Sequence, residues 1–153
     1  MLDLVNSIHQ GCTIEVRGRS FNAIAMGRYM TETNPTDEYY KVFMQDHHVL
    51  VIAPTDSMMY LGRDHGDLGQ GLMDQETIDY DGRRYNEVAK DRQIVKAVVF
   101  GTLDQIEGEV LFRDYVAEGD DTKLLSLAIV LSTGKRSDIV ADVIGLGDIA
   151  YPR

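Results

Sequence analysis

The chain has 153 residues and a formal net charge of −10, with 15 Lys and Arg against 25 Asp and Glu. Its 44% hydrophobic content excludes a disordered chain, and at this length roughly 68–70% of the unfolded surface can be buried without metal or disulfide staples. The acidic balance argues against nucleic acid as a partner, because such affinity comes from Lys and Arg displacing counterions, and acids interleave even with Arg17, Arg19, Arg83 and Arg84. One cysteine, Cys12, rules out an intramolecular disulfide and fits a reducing, cytoplasmic compartment. Met1–Gly11 has no basic segment followed by an apolar run, and no apolar run approaches the ~20 residues of a membrane span, so neither a signal peptide nor stable membrane insertion is expected.

In chain order, Leu2, Leu4, Val5 and Ile8 fall on one face of a short helix, with Gly11 as its stop. Thr13–Val16 reads as a strand turned by Gly18. Ser20–Met30 reads as a longer strand with Phe21, Ala23 and Ala25 on one side. Thr31–Asp37, with Asn34-Pro35, is a loop. Tyr39–Met44 alternates, Asp46-His47-His48 is a turn, and Val49–Ala53 is an unbroken apolar run that expects cover on both faces before Pro54 ends it. Ser57–Leu61 is a further short strand. Gly62–Gly71 holds four glycines in ten residues and reads as a linker.

Strands resume at Ile78–Asp81, Arg84–Lys90, Val95–Leu103, Glu109–Val116 and Leu124–Leu131. The breaks at Asp104–Gly108, Glu118–Thr122 and Ser132–Lys135 are hairpin-sized. In Asp138–Ile144 the positions Ile139, Val140, Val143 and Ile144 fit helix and strand equally. A short last strand falls near Ile149.

Ile14–Asn22 and Ile78–Asn86 align at a constant offset of 64 (78 − 14), with Ile, Gly, Arg and Asn identical, an acid facing an acid and Phe21 facing Tyr85. Each copy reads as strand, tight Gly-Arg turn, strand. Many short strands without intervening helices indicate a sandwich or barrel. The expectation is a mainly β single domain, 1–153, of two pseudo-repeated halves (about 12–61 and 77–151) joined by the Gly-rich linker 62–71. The halves form a barrel-like or sandwich core, with a short N-terminal helix.

The polar candidates mostly read as structure. His47 and His48, with Asp46, point to opposite faces if extended, and His65 with Asp64 and Asp67 adds no metal-binding spacing. Cys12 has His9 three residues away but reads first as a small packing residue. Glu107, Glu109, Asp114, Glu118, Asp120 and Asp121 read as a solvated face and hairpin tips. Gly134-Lys135-Arg136-Ser137 resembles a phosphate loop by letters only, because the upstream glycine is replaced by Ile129. The eight tyrosines, in a chain without tryptophan, supply core and cross-strand packing, or an interaction surface.

Gly82-Arg83-Arg84-Tyr85, Val98-Val99-Phe100-Gly101, Glu109-x-x-Phe112-x-x-Tyr115 and Leu124-Leu125-Ser126-Leu127 together resemble a group of small duplicated bacterial β-domains of unknown function, encoded near envelope-stress and polyamine-related genes. The resemblance covers Ile78–Ile149 and, more faintly, Ile14–Ala53. It implies a duplicated β fold and no catalytic residues.

The sequence therefore leads to a non-enzymatic cytoplasmic binding or assembly module, with self-association expected and a protein partner allowed. The alternative is a small-molecule or metal-dependent enzyme with its site between the halves. No catalytic residue, metal ligand or cofactor is assigned.

Overall fold

The computed structural model describes residues 1–69, 75–103 and 109–153. A short helix, α1 (Leu2–Ser7), precedes eleven strands. The first half supplies β1 (Thr13–Val16), β2 (Arg19–Thr31), β3 (Tyr39–Met44), β4 (His48–Ala53) and β5 (Met58–Asp64). The second supplies β6 (Thr77–Tyr80), β7 (Arg83–Phe100), β8 (Val110–Ala117), β9 (Asp120–Val130), β10 (Ile139–Ile144) and β11 (Ile149–Ala150).

Eight strands close into an antiparallel barrel in the order β2-β3-β4-β5-β10-β9-β8-β7, with β7 returning to β2. At eight strands a barrel is just wide enough to be filled by side chains or to hold one small ligand. Strand periodicity sorts the residues. Val49, Val51, Tyr60, Leu124, Ile139 and Ala141, drawn from four different strands, meet inside the barrel. The alternate positions face outward and are covered. Val42, Leu50, Ile52 and Met59 pack under α1 and β1, against Leu4, Val5 and Ile14. Leu125, Leu127 and Tyr115 pack under β6, against Ile78 and Tyr85. Both faces of Val49–Ala53 are thus buried, as its unbroken apolar run requires.

The two outer covers are built alike. In β1–β2, Thr13 pairs with Asn22 and Val16 with Arg19; in β6–β7, Thr77 pairs with Asn86 and Tyr80 with Arg83. Thr13 and Thr77 each donate to that asparagine's Oδ1 at 3.3 Å. The turn residues are Arg17-Gly18 (φ 49° and 79°) and Asp81-Gly82 (φ 49° and 75°), not the Gly-Arg pairs read from the sequence. Two successive positive φ values make a type I′ turn, whose twist matches that of the strands. Each long strand then breaks register, between Ala23 and Ala25 in β2 and between Glu87 and Ala89 in β7. The residues at the breaks, Ile24 and Val88, are 53% and 61% exposed and again 64 apart (88 − 24). A bulge shifts the side-chain phase by one. Phe21 and Ala23 therefore pack under α1, whereas Ala25 faces the barrel interior with Tyr29, contrary to the single face expected for all three.

Other expectations are corrected. Gly62, Arg63 and Asp64 belong to β5, not to a linker. The inward-facing Gly62 permits the β5–β10 seam to close: a Cβ there would lie 2.8 Å from that of Ala141 and collide with Ile139. Arg84–Lys90 and most of Val95–Leu103 are parts of one strand, β7, which breaks register at its bulge and ends at Phe100, before the expected 101–103. The ambiguous 138–144 stretch is strand, because β10 pairs with β5 on one side and β9 on the other. The strand β9 begins at Asp120, inside the expected break at Glu118–Thr122. Residues 70–71 of the expected linker and the break at 104–108 lie outside the described residues.

Candidate functional site

A cavity of about 450 Å3 opens at the end of the barrel where β3 begins, beneath the loop joining β2 to β3. Both halves line it: Tyr39, Lys41 and Tyr60 from the first, Gln93, Asp114 and Ser126 from the second. The alternation that puts Val42 and Met44 under α1 puts Tyr39, Lys41 and Phe43 inside.

Lys41 is 8% exposed. Its Nζ lies 5.5 Å from the centroid of the Tyr29 ring, and among the described residues it has neither a hydrogen-bond acceptor nor an ion-pair partner within 4.0 Å. Burial pushes its pKa down to about 8, opposed by the fields of Asp114 and Asp64. Asp114 faces the same cavity. Burial raises its carboxyl pKa, opposed by the Ser126 hydroxyl, its cross-strand neighbour, and by Lys41. Its Oδ1 is closed off from solvent and has no hydrogen-bond partner. The Lys41 ammonium and the Asp114 carboxylate thus share a cavity without touching. Tyr39 stacks on Tyr29 (centroids 5.6 Å apart) and donates from its hydroxyl to Gln93 Oε1 at 3.0 Å. Burial raises the pKa of Tyr29, Tyr39 and Tyr60, so these hydroxyls remain donors at neutral pH.

The opposite end of the barrel holds a second cavity of about 450 Å3, lined by His47, His48, Asp46, Phe43 and Val49 among others. Equivalent ladder positions build the two ends. In the first half Ala25, Phe43, Val49 and Gly62 stand side by side across β2, β3, β4 and β5. In the second half Ala89, Asp114, Ser126 and Ile139 do so across β7, β8, β9 and β10. Where one end has Phe and Val, the other has Asp and Ser.

Most sequence candidates land in structural roles. Asp46 and His47 hold positive φ in a 3-10 turn, and His48 Nδ1 lies 3.2 Å from Gln45 O. His65 is exposed. Asp64 accepts from Gly66 N at 2.8 Å and from Ser137 Oγ at 2.7 Å, while Asp67 accepts from Gly69 N. Among the described residues no three His, Cys, Asp or Glu side chains converge as metal ligands. Cys12 is 1% exposed in the core beneath α1. Arg136 pairs at 2.9 Å with the fully buried Asp138, which also accepts from Leu68 N, so Gly134–Ser137 is a turn tied to the segment after β5. Glu109 pairs with Arg92 and Asp120 with Arg83; Glu118 and Asp121 are exposed; Glu107 lies outside the described residues. Asp114 is the exception among these acids.

Lys41 was not a sequence candidate. A signal existed: each of these charges sits on an otherwise apolar or aromatic face, Tyr39-x-Lys41-x-Phe43 and Val110-x-Phe112-x-Asp114-x-Val116. The signal was masked because both faces of these strands are apolar, so alternation alone could not say which faced inward.

No protein-family model, curated protein or solved structure matches the chain.

Proposed function

We propose that this chain is a non-enzymatic binding module whose site is the Lys41 end of the barrel, and that its ligand is a small polar molecule. One observation carries this: Lys41, a residue more than nine-tenths buried, lines a cavity of about 450 Å3 and, among the described residues, its ammonium has the Tyr29 ring beside it but no hydrogen-bond acceptor or ion-pair partner. That volume falls within the range of small-molecule sites. A buried ammonium is costly unless something hydrogen-bonds it, and an acceptor on a ligand would do so. The ligand would also lie beside Asp114, a further residue of the cavity lining. Asp37, Glu38, Asp56 and Asp91, against the single rim cation Lys90 among the described residues, disfavour polyanions, leaving neutral or singly charged molecules.

The paired hairpins and bulges at one offset support reading the halves as copies of one ancestral unit. The reading includes a cytoplasmic location, which the lone buried Cys12 favours. Self-association would proceed through strand edges, which barrel closure confines, among the described residues, largely to the short β6 and β11. Among the described residues no helix is long and apolar enough to cross a membrane. A second reading, an enzyme with its site between the halves, is favoured by the proximity to neutrality of the Lys41 pKa.

The test is a thermal-shift and calorimetric screen of small amides, ketones and monocarboxylates against wild type and Lys41→Met. Saturable stabilisation of wild type that the variant lacks supports the reading. No response in wild type, or equal responses in both proteins, removes it.

A further inference from the structure

We propose that Lys41 captures small aldehydes and ketones as a reversible Schiff base, with Asp114 as the acid that expels water. The inference rests on the binding site above and names the chemical class of its ligand.

Three features of the geometry lead to it. The Lys41 amine is held on a strand inside the barrel, over the Tyr29 ring and, among the described residues, with no hydrogen-bond acceptor or ion-pair partner. The carboxyl group of Asp114 lines the same cavity and lies beyond ion-pair distance of the amine. Its walls add neutral polar groups, the hydroxyls of Tyr39, Tyr60 and Ser126 and the Gln93 amide, while Asp37, Glu38, Asp56, Lys90 and Asp91 also line it. A carbonyl oxygen suits such surroundings better than a phosphate does, given the acidic rim.

The chemistry balances without redox. The neutral amine adds to the carbonyl carbon, forming the C–N bond, and the carbonyl π pair moves to oxygen. Proton transfer from nitrogen to that oxygen gives the carbinolamine. Asp114, whose raised pKa favours its acid form, protonates the hydroxyl; the C–O bond breaks, water leaves, and a protonated imine remains opposite the Asp114 carboxylate. The groups around Lys41 are Tyr29 on β2, Tyr39 on β3, Tyr60 on β5, Lys90, Asp91 and Gln93 on β7, Asp114 on β8 and Ser126 on β9, with Asp37, Glu38 and Asp56 on the loops and the field of Asp64 reaching it from the other end. Burial among them depresses the Lys41 pKa, which raises the fraction of free amine at neutral pH. Lys96 and Lys123 serve as internal controls, since each is ion-paired at the surface, with Glu38 and Asp142 respectively.

The experiment incubates the full-length chain with butanal or benzaldehyde and cyanoborohydride at neutral pH, then maps the reduced adducts by peptide mass spectrometry. Adduct formation at Lys41 should exceed that at Lys96 and Lys123 by at least about tenfold, and Asp114→Asn should slow it and shift its pH profile. Lys41→Met, checked for folding by its melt, should lose the fast adduct only. Equal labelling of the three lysines, or labelling of Lys41 only after unfolding, overturns the proposal. If trapping fails while ketones still stabilise wild type and not Lys41→Met, the covalent step is wrong and the binding site stands. If both fail, both readings fall.

Discussion

The two ends of the barrel have cavities of the same size and are built from equivalent ladder positions, yet they differ in chemistry. At the histidine end the polar groups sit on a turn or at the ends of strands, where local hydrogen bonds use them. His48 lies against Gln45 O, and Asp64 is taken by Gly66 and Ser137. At the lysine end Lys41, Gln93, Asp114 and Ser126 sit within strands, whose backbone groups are already paired in the ladder. A side chain there faces across the barrel and has a partner only if another strand supplies one. Among the described residues Lys41 Nζ has only the Tyr29 ring, and Asp114 Oδ1 has no hydrogen-bond partner.

The largest expected effect tests whether Lys41 is truly desolvated. Its pKa in the folded chain, about 8, lies below the usual 10.5. Between these values the unfolded chain holds a proton that the folded chain has lost, so this group's contribution to stability rises with pH. The cost of burying the ammonium is fully present below pH 8 and gone above 10.5. A gap of this size corresponds to about 3 kcal/mol. Urea unfolding of wild type and Lys41→Met should show the variant's relative advantage shrinking by that amount between about pH 7 and about pH 11. The raised tyrosine pKa values act the opposite way at high pH, but both proteins share them and they cancel in the difference. Parallel pH profiles would mean the ammonium is solvated and the two ends are alike.

Next is the closed middle that separates the ends. Gly62→Val would force a side chain into Ile139 and Ala141 at the β5–β10 seam, and overpacking of this kind should cost about 2 kcal/mol or more. A variant melting like wild type would show that the seam is loose and that the two cavities communicate.

The matching hairpins allow a smaller, symmetrical test. Gly18→Val and Gly82→Val each place a β-branched residue at positive φ, for a loss of about 1–2 kcal/mol. Neither glycine has atoms within 4 Å of where a Cβ would stand, so backbone strain is the main cause. Similar losses would support equivalent covers; a melt of either variant that matches wild type would deny that turn its role.

The smallest effect belongs to the histidine end. His47→Asn keeps a residue that tolerates positive φ, and stability should stay within about 0.5 kcal/mol of wild type. Reductive trapping at Lys41 should be unchanged. A large loss of either would move function to this end.

Much of the fold was legible because it is encoded locally. The 64-residue offset marked both hairpins, and the limits of β1 and β3 followed from alternation between turn signals. The bulges were not legible. Ile24 and Val88 are ordinary strand residues whose exposure depends on a strand having to bend from the outer cover into the barrel. The candidate site was half legible for a similar reason. Asp114 was noticed among the acids and assigned to solvent, and Lys41 was passed over, because β3 and β8 are apolar on both faces.

By itself the sequence determined a mainly β chain, its one helix, and the repeated hairpin, because period, turn chemistry and glycine backbone freedom act within a few residues. Only the tertiary structure decided which face of each strand turned inward. Closure of β7 onto β2 and of β5 onto β10 made one face an interior, and so brought a lysine and an aspartate 73 residues apart (114 − 41) into a single cavity.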